Sequence, residues 1–260
     1  VSFEGLLLRN LAVSSSQPES ADRLAKPDRS AYIDAMTTDW TPGEELLVAA
    51  RRHAALSDPH RLSVVEELLV TDRSPAWFAS RWGMASNLVA HHVGVLVDAG
   101  LLHRTPSQGD RRRVYLRLTP AGRSMLAPQP VPAGRVVFVC THNSARSQFA
   151  EALWRQHSRV PASSAGTRPA RSVHPLARRT AARHGIDLSG AVPKTLQPGA
   201  LEQALIVTVC DSADRTTDAP HLHWSVPDPV ALGTTDAFEA AWQEVADRVE
   251  VLAPTITTQD

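Results

Sequence analysis

Val136-Val137-Phe138-Val139-Cys140-Thr141-His142-Asn143-Ser144-Ala145-Arg146-Ser147 is the stretch on which the reading of this chain turns. Its first four residues are an apolar run suited to a buried strand, and Ser147-Gln148-Phe149-Ala150-Glu151 opens an amphipathic segment. Strand, tight loop and helix start therefore follow in quick succession. Five residues separate a thiol from a guanidinium, enough for the loop to close round one tetrahedral oxyanion. Backbone N–H groups and the positive end of the helix dipole then face both the anion and the sulfur. The same field, with Arg146 beside it, favours a thiolate at neutral pH. The stretch reads as a nucleophilic cysteine, Cys140, in an oxyanion cradle made by Thr141, His142, Asn143, Ser144, Ala145 and Arg146. A structural cysteine at a strand end is the plainer alternative, and Arg146 at this spacing speaks against it.

Downstream, strands alternate with helices. Arg135–Val139, Ala162–Ser164, Ala204–Val209 and His221–Trp224 read as strands, and Ser147–His157 and Pro175–His184 as helices. Phe238, Trp242, Val245, Val249 and Leu252 step by four and three, an amphipathic helix. Such alternation predicts a four-stranded parallel sheet covered by helices, with ligands at the carboxyl ends of the strands, where Cys140 falls.

Upstream, Ala127-Pro128-Gln129-Pro130-Val131-Pro132-Ala133-Gly134 reads as a stiff linker at residues 127–134. It separates an α/β domain at 135–260 from a mainly α domain at 44–126. In the latter, Leu47, Ala50 and Ala54 give one helix an apolar face, and Leu62, Val65, Leu68 and Leu69 give the next one its stripe. Ser74-Pro75 opens a short helix that Gly83 stops, and Ala85-Ser86-Asn87 opens another with Val89, Val93 and Leu96 inward. Two short helices joined by a glycine turn are a helix-turn-helix pattern. A hairpin follows, turning at Ser107-Gln108-Gly109-Asp110 and returning through Arg111-Arg112-Arg113, which makes the pattern winged. Residues 1–43 show no periodicity and read as a disordered extension, with Met36 a plausible start before the first periodic helix.

Composition sets bounds on these readings. The 260 residues are 43% hydrophobic, with no apolar run near the roughly 18 residues of a membrane span. Leu6-Leu7-Leu8 is too short for a secretory signal core. Two cysteines argue against a disulfide scaffold and for a cytoplasmic protein. The zero net charge hides an uneven spread: residues 44–133 carry 11 Lys+Arg against 8 Asp+Glu, whereas 134–260 carry 12 against 13. A nucleic-acid surface belongs in the basic middle block.

Two resemblances follow from these residues. Ala55-Leu56-Ser57-Asp58-Pro59-His60-Arg61-Leu62, Val89-Ala90-His91-His92-Val93-Gly94-Val95-Leu96, Asp98-Ala99-Gly100-Leu101 and the arginine-rich wing resemble the ArsR-type transcriptional repressors. That resemblance implies a homodimer on a double-stranded DNA operator, with Ser86, Asn87, Ala90 and His91 in the major groove. Arg111, Arg112 and Arg113 would then meet phosphate or the minor groove. The Cys-x-Cys sensor pair of many members is missing from the helix holding Ser74, Trp77 and Trp82, and no metal site is expected. His91 and His92 read as helix-surface residues.

Residues 134–252 resemble the low-molecular-weight protein tyrosine phosphatase superfamily and, within it, the arsenate reductases. Beyond the Cys140 loop, Ser164-Ala165-Gly166-Thr167, Val173-His174-Pro175, Gly185-Ile186-Asp187-Leu188-Ser189-Gly190, Val207-Thr208-Val209-Cys210 and Val226-Pro227-Asp228-Pro229 carry it. It implies that Cys140 attacks arsenic or phosphorus, Arg146 holds the oxyanion, Asp228 protonates the leaving oxygen and Ser147 donates to the thiolate. Asn143, which tolerates positive φ, shapes the glycine-free loop. Gln148 and Val230 stand where tyrosine phosphatases usually have proline and an aromatic residue, which favours arsenate. His142 resembles the Cys-x-His-Asn loop of reductases served by a small thiol. No cofactor is expected to be tightly bound, and electrons would come from mycothiol, glutathione, a similar thiol or a redoxin. Asp214-Arg215-Thr216-Thr217 lacks the third cysteine of the thioredoxin-coupled relay, so Cys210 either resolves Cys140 directly, yields to an external thiol, or is a core residue. The function read from these residues is a reductase tethered to a DNA-binding regulator of arsenic resistance; a regulator sensing arsenate, arsenite or phosphate without turnover and a tyrosine phosphatase are the alternatives.

Overall fold

Helix α1 spans Glu44–Ala55, α2 Pro59–Leu68, α3 Pro75–Trp82 and α4 Ser86–Asp98 in the computed structural model, which describes residues 41–197, 204–217 and 219–257. Residues 1–40, the bulk of the extension read as disordered, lie outside the described residues. Local chemistry sets the helix ends. Asp58 Oδ1 accepts the Arg61 N–H (3.0 Å) and Pro59 opens α2. Ser74 caps α3 through the Trp77 N–H (3.3 Å), with Pro75 in its first turn, and Gly83 ends it at φ 62°. The hairpin pairs β1 (Leu102–Pro106) antiparallel with β2 (Val114–Leu118).

Val64, Val65, Leu68, Phe78, Val89, Val93, Leu96 and Leu116 form the core of this part. The three positions expected inward on α4 are fully buried. Two other expected faces are corrected. Leu62 sits in the first turn at the edge of the α2 stripe and is 40% exposed, while Val64 takes the interior place. On α1, Leu47 is 43% exposed and Ala55 is the one buried residue, because α2–α4 and the hairpin already close the core.

The second part is an α/β layer with a parallel four-stranded sheet. Its strands β4 (Arg135–Cys140), β5 (Ala162–Gly166), β6 (Ala204–Thr208) and β7 (Leu222–His223) lie in the order β5-β4-β6-β7. The central strand β4 has neighbours on both sides, which is why Val136–Val139 can be an unbroken apolar run. Helix α5 (Arg146–His157) packs on β4 and β5, and α7 (Thr235–Leu252) packs on α5 and on α6 (Pro175–Arg183). Phe238, Trp242, Val245, Val249 and Leu252, the periodic face, are all buried.

The proline-rich segment read as a linker is tied down at β3 (Val131–Pro132), which pairs parallel with β8 (Ile256–Thr257). Glu44–Asp260 form one compact unit, and the contact between its two parts is built from buried polar groups. Asp72, 3% exposed, accepts from Arg248 at both oxygens (Nη1–Oδ1 3.2 Å, Nη2–Oδ2 2.9 Å) and from the Ser225 N–H (2.8 Å). Glu244 pairs with both Arg248 and Arg117, so two guanidiniums face two carboxylates. Thr71 and His223 exchange hydrogen bonds, with His223 N–H to Thr71 Oγ1 at 2.8 Å and Thr71 O–H to His223 O at 3.2 Å. Tyr115 O–H donates to Asp214 Oδ2 (2.6 Å). Burial pushes the Asp214 carboxyl up, but hydrogen bonds from His221 and Tyr115 with the charge of His223 outweigh it and hold it down at about 2.

Candidate active site

The loop after β4 closes as its sequence demands. Asn143 is at φ 50°, the one non-glycine residue in the left-handed region among the described residues. Its side chain then ties the loop to three elements. Nδ2 donates to Ser147 Oγ (2.8 Å) and Ser164 Oγ (2.9 Å), and Oδ1 accepts the Lys194 N–H (2.8 Å). Gln148 Nε2 donates to Asn143 O (3.0 Å), a bond that proline at this position could not make. The strap Thr167–His174 holds the outer side: the N–H groups of Thr167, Arg168, Ala170 and His174 reach the carbonyls of Cys140, Thr141, His142 and Ser144.

Gly166 must be a glycine for this closure. A Cβ there would lie 2.9 Å from Thr141 O and 3.2 Å from Asn143 N and Cβ. Gly166→Ala should therefore push the loop off its seat and cost about 1–3 kcal/mol. Thermal denaturation checks this, and an unchanged melting temperature would refute it.

Cys140 Sγ accepts the Asn143 N–H (3.1 Å) and lies 3.0 Å from Ser147 Oγ. Both contacts suit a sulfur carrying negative charge. Arg146 opens α5, is 7% exposed, and donates through Nη1 to Val226 O (2.9 Å). Its Nη2 faces Asp228 Oδ2 at 3.2 Å. The sequence-predicted residues Cys140, Asn143, Arg146, Ser147 and Asp228 thus come together. In this arrangement Asp228 occupies one arm of the Arg146 guanidinium.

Thr141, His142, Arg146, Cys210 and Asp228 line a cavity of about 600 Å³. Ser144 and Ala145 are buried in the turn. Cys210, free and buried, has Sγ 3.4 Å from Thr141 Oγ1. Burial pushes its thiol up, Arg146 pulls against that, and Cys140 adds to it.

The remaining candidates lie elsewhere. Ser86, Asn87, Ala90 and His91 are exposed on α4. Arg112 pairs with Asp110 (3.1 Å), Arg113 lies 3.7 Å from Asp214, and Arg111 lines the cavity. Sequence reasoning missed that Pro106, Ser107, Gln108 and Gly109 line it as well. No local signal marks them, because their partners lie over a hundred residues away. His92 is corrected from a surface residue to a buried one, 7% exposed, and burial pulls its imidazole down. With Asp58 and His60 it offers three ligand atoms within 4.8 Å of one another, the group among the described residues that could hold a metal ion.

A strand, a Cys-x5-Arg loop on a helix N-terminus and an aspartate over the arginine make an arrangement that can receive an oxyanion beside a thiol. Residues 135–260 match the family model "Low molecular weight phosphotyrosine protein phosphatase", and the chain belongs to that family of enzymes. The arsenate reductase of Bacillus licheniformis is 35% identical over 123 residues, 44% of this chain and 88% of the relative. That of Brevibacillus brevis is 33% identical over 128 residues, 46% of this chain and 94% of the relative. A crystal structure of arsenate reductase from Archaeoglobus fulgidus is 31% identical, covering 46% of this chain and 99% of the other at a TM-score of 0.40.

Proposed function

We propose that this chain is a thiol-dependent arsenate reductase joined to an ArsR-type winged helix-turn-helix that binds operator DNA. The carrying observation is the Cys140 cradle, with Asn143 N–H and Ser147 Oγ on the sulfur and Arg146 and Asp228 facing one another at 3.2 Å. The reductases of Bacillus licheniformis and Brevibacillus brevis support arsenate as the oxyanion. Buried Gln148 does so too, since its bond to Asn143 O braces the loop from where the phosphatases carry proline.

In the proposed reaction the Cys140 thiolate attacks arsenic, and an oxygen protonated by Asp228 leaves as water. A thiolate then attacks the Cys140 sulfur, and the S–As bond breaks with its electron pair staying on arsenic. Arsenite departs, and the two sulfurs that supplied two electrons are left as a disulfide. A second thiol restores Cys140. Arg146 binds the oxyanion through both steps, in place of its present contact with Asp228. Arg146→Lys keeps the charge but loses the planar fork and should lower kcat/KM for arsenate about 10²-fold. A loss under threefold in steady-state kinetics would remove the fork from the mechanism.

Two observations support the DNA-binding reading. The outer face of α4 presents Ser86, Asn87, Ala90 and His91, and the apolar residues Leu46 and Leu47 of α1 are exposed, as a dimer surface requires. The test has two arms. Purified protein should form arsenite from arsenate with a thiol donor, and should shift DNA from its own promoter region. No arsenite with mycothiol, glutathione, dithiothreitol or a redoxin would overturn the first half, and no salt-sensitive, sequence-selective shift the second.

A further inference from the structure

The family match begins at Arg135, yet one wall of the active-site cavity is built by residues that precede it. The tip of the β1–β2 hairpin lines the cavity together with His142 and Arg168. This tip is firmly seated. Ser107 Oγ and the Gln108 N–H both donate to Asp211 Oδ2 (2.8 and 2.7 Å), directly after Cys210. Arg215 Nη1 donates to Gly109 O (2.8 Å), and a Cβ on Gly109 would stand 3.1 Å from Asp211 Cβ. Gln108 Oε1 accepts the Asp228 N–H (2.7 Å).

The walled space is about 600 Å³, and a tetrahedral oxyanion fills a small part of it. Its free charge is positive. Asp211 is engaged by Ser107, Gln108 and His223, and Asp228 by Arg146. Arg111 and Arg168 line the cavity, are exposed, and have no ion pair with a carboxylate of the described residues. Two such guanidiniums in a cavity also lined by Thr141, His142 and Arg146 of the Cys140 loop suit a second, anionic ligand.

We propose that the hairpin tip walls a subsite for the thiol co-substrate, and that Arg111, with Arg168, selects a small thiol bearing carboxylates. This rests on the reading of Cys140 as the nucleophile that receives arsenate. The bound thiolate attacks the Cys140 sulfur of the arsenic adduct, forming an S–S bond as the S–As bond breaks. Arsenic takes the two electrons, and a further thiol of the same class releases Cys140 by exchange.

Kinetics with glutathione as the anionic probe and dithiothreitol as the neutral one test the subsite. Arg111→Ala should raise the KM for glutathione about fivefold to tenfold, with the KM for dithiothreitol and for arsenate unchanged. Arg111→Lys should recover most of the difference. Equal behaviour of both thiols in wild type and variant would overturn the proposal. A second measurement stands apart from turnover: the rate at which Cys140 forms a mixed disulfide with glutathione disulfide or with hydroxyethyl disulfide, read by peptide mass spectrometry. Wild type should favour the anionic disulfide and Arg111→Ala should lose that preference, even if arsenate proves not to be the substrate. No preference in wild type would sink the subsite while leaving the reductase reading intact.

Discussion

Replacement of Cys140 by serine is expected to abolish thiol-dependent arsenate turnover, a fall of at least about 10⁴-fold, without unfolding the protein. The Asn143 N–H and the Ser147 hydroxyl, now 3.1 and 3.0 Å from sulfur, can both serve an oxygen in its place. The cradle therefore survives, and so does Arg146, held from outside by Val226 O. What disappears is a sulfur nucleophile that can pass electrons to arsenic, since a serine oxygen cannot end in a disulfide. Arsenite release measures the loss, and calorimetric titration with arsenate or phosphate shows whether the anion still binds. Turnover within tenfold of wild type would mean that another group carries the reaction. Cys210 is the one other cysteine of the chain.

Asp72→Ala should destabilise the folded chain by about 3–5 kcal/mol. Asp72 and Glu244 together balance Arg117 and Arg248 at the contact between the helical part and the α/β part. Removing one carboxylate leaves two buried guanidiniums around one acidic partner and strands the Ser225 N–H. Arg117 already shows the strain of the place, since burial and then the nearby Arg248 pull its guanidinium down to about 10. Urea denaturation of the full chain measures the effect. Asp72→Asn keeps an acceptor for Ser225 and should fall between wild type and alanine. A change under 1 kcal/mol would show that solvent reaches this contact and pays little heed to the charge.

Readability from sequence divides along the range of the interactions. The Cys140 cradle was legible because its parts lie within one turn of chain: Cys140, Asn143, Arg146 and Ser147 constrain one another locally. The four strands and the α7 face were legible because period and burial coincide there. The face assigned to α1 was not, since periodicity marks an apolar stripe but not the surface that covers it. Val64 displaced Leu62 on α2 because both lie within reach of the same inward face. The inter-part contact was invisible. Asp72 and Arg248 are 176 residues apart, and Ser107 and Asp211 are 104 apart. Each looks like an ordinary surface residue in its own neighbourhood. The proline-rich segment reads as a stiff linker and says nothing of a partner for it, whereas β3 pairs with β8, over a hundred residues on.

A hairpin tip can occupy one place at a time. While Ser107 and Gln108 bond Asp211 and Asp228, those groups are not free to bond anything else, so on the proposed DNA-binding reading any duplex contact made by the tip would compete with this seat. Reciprocity then fixes the sign of their effects. On that proposed reading, a ligand that tightened the tip in the cavity would weaken such a duplex contact by the same factor, and a duplex that lifted the tip would loosen the ligand to an equal degree. The chain would thus need no separate messenger between its two ends.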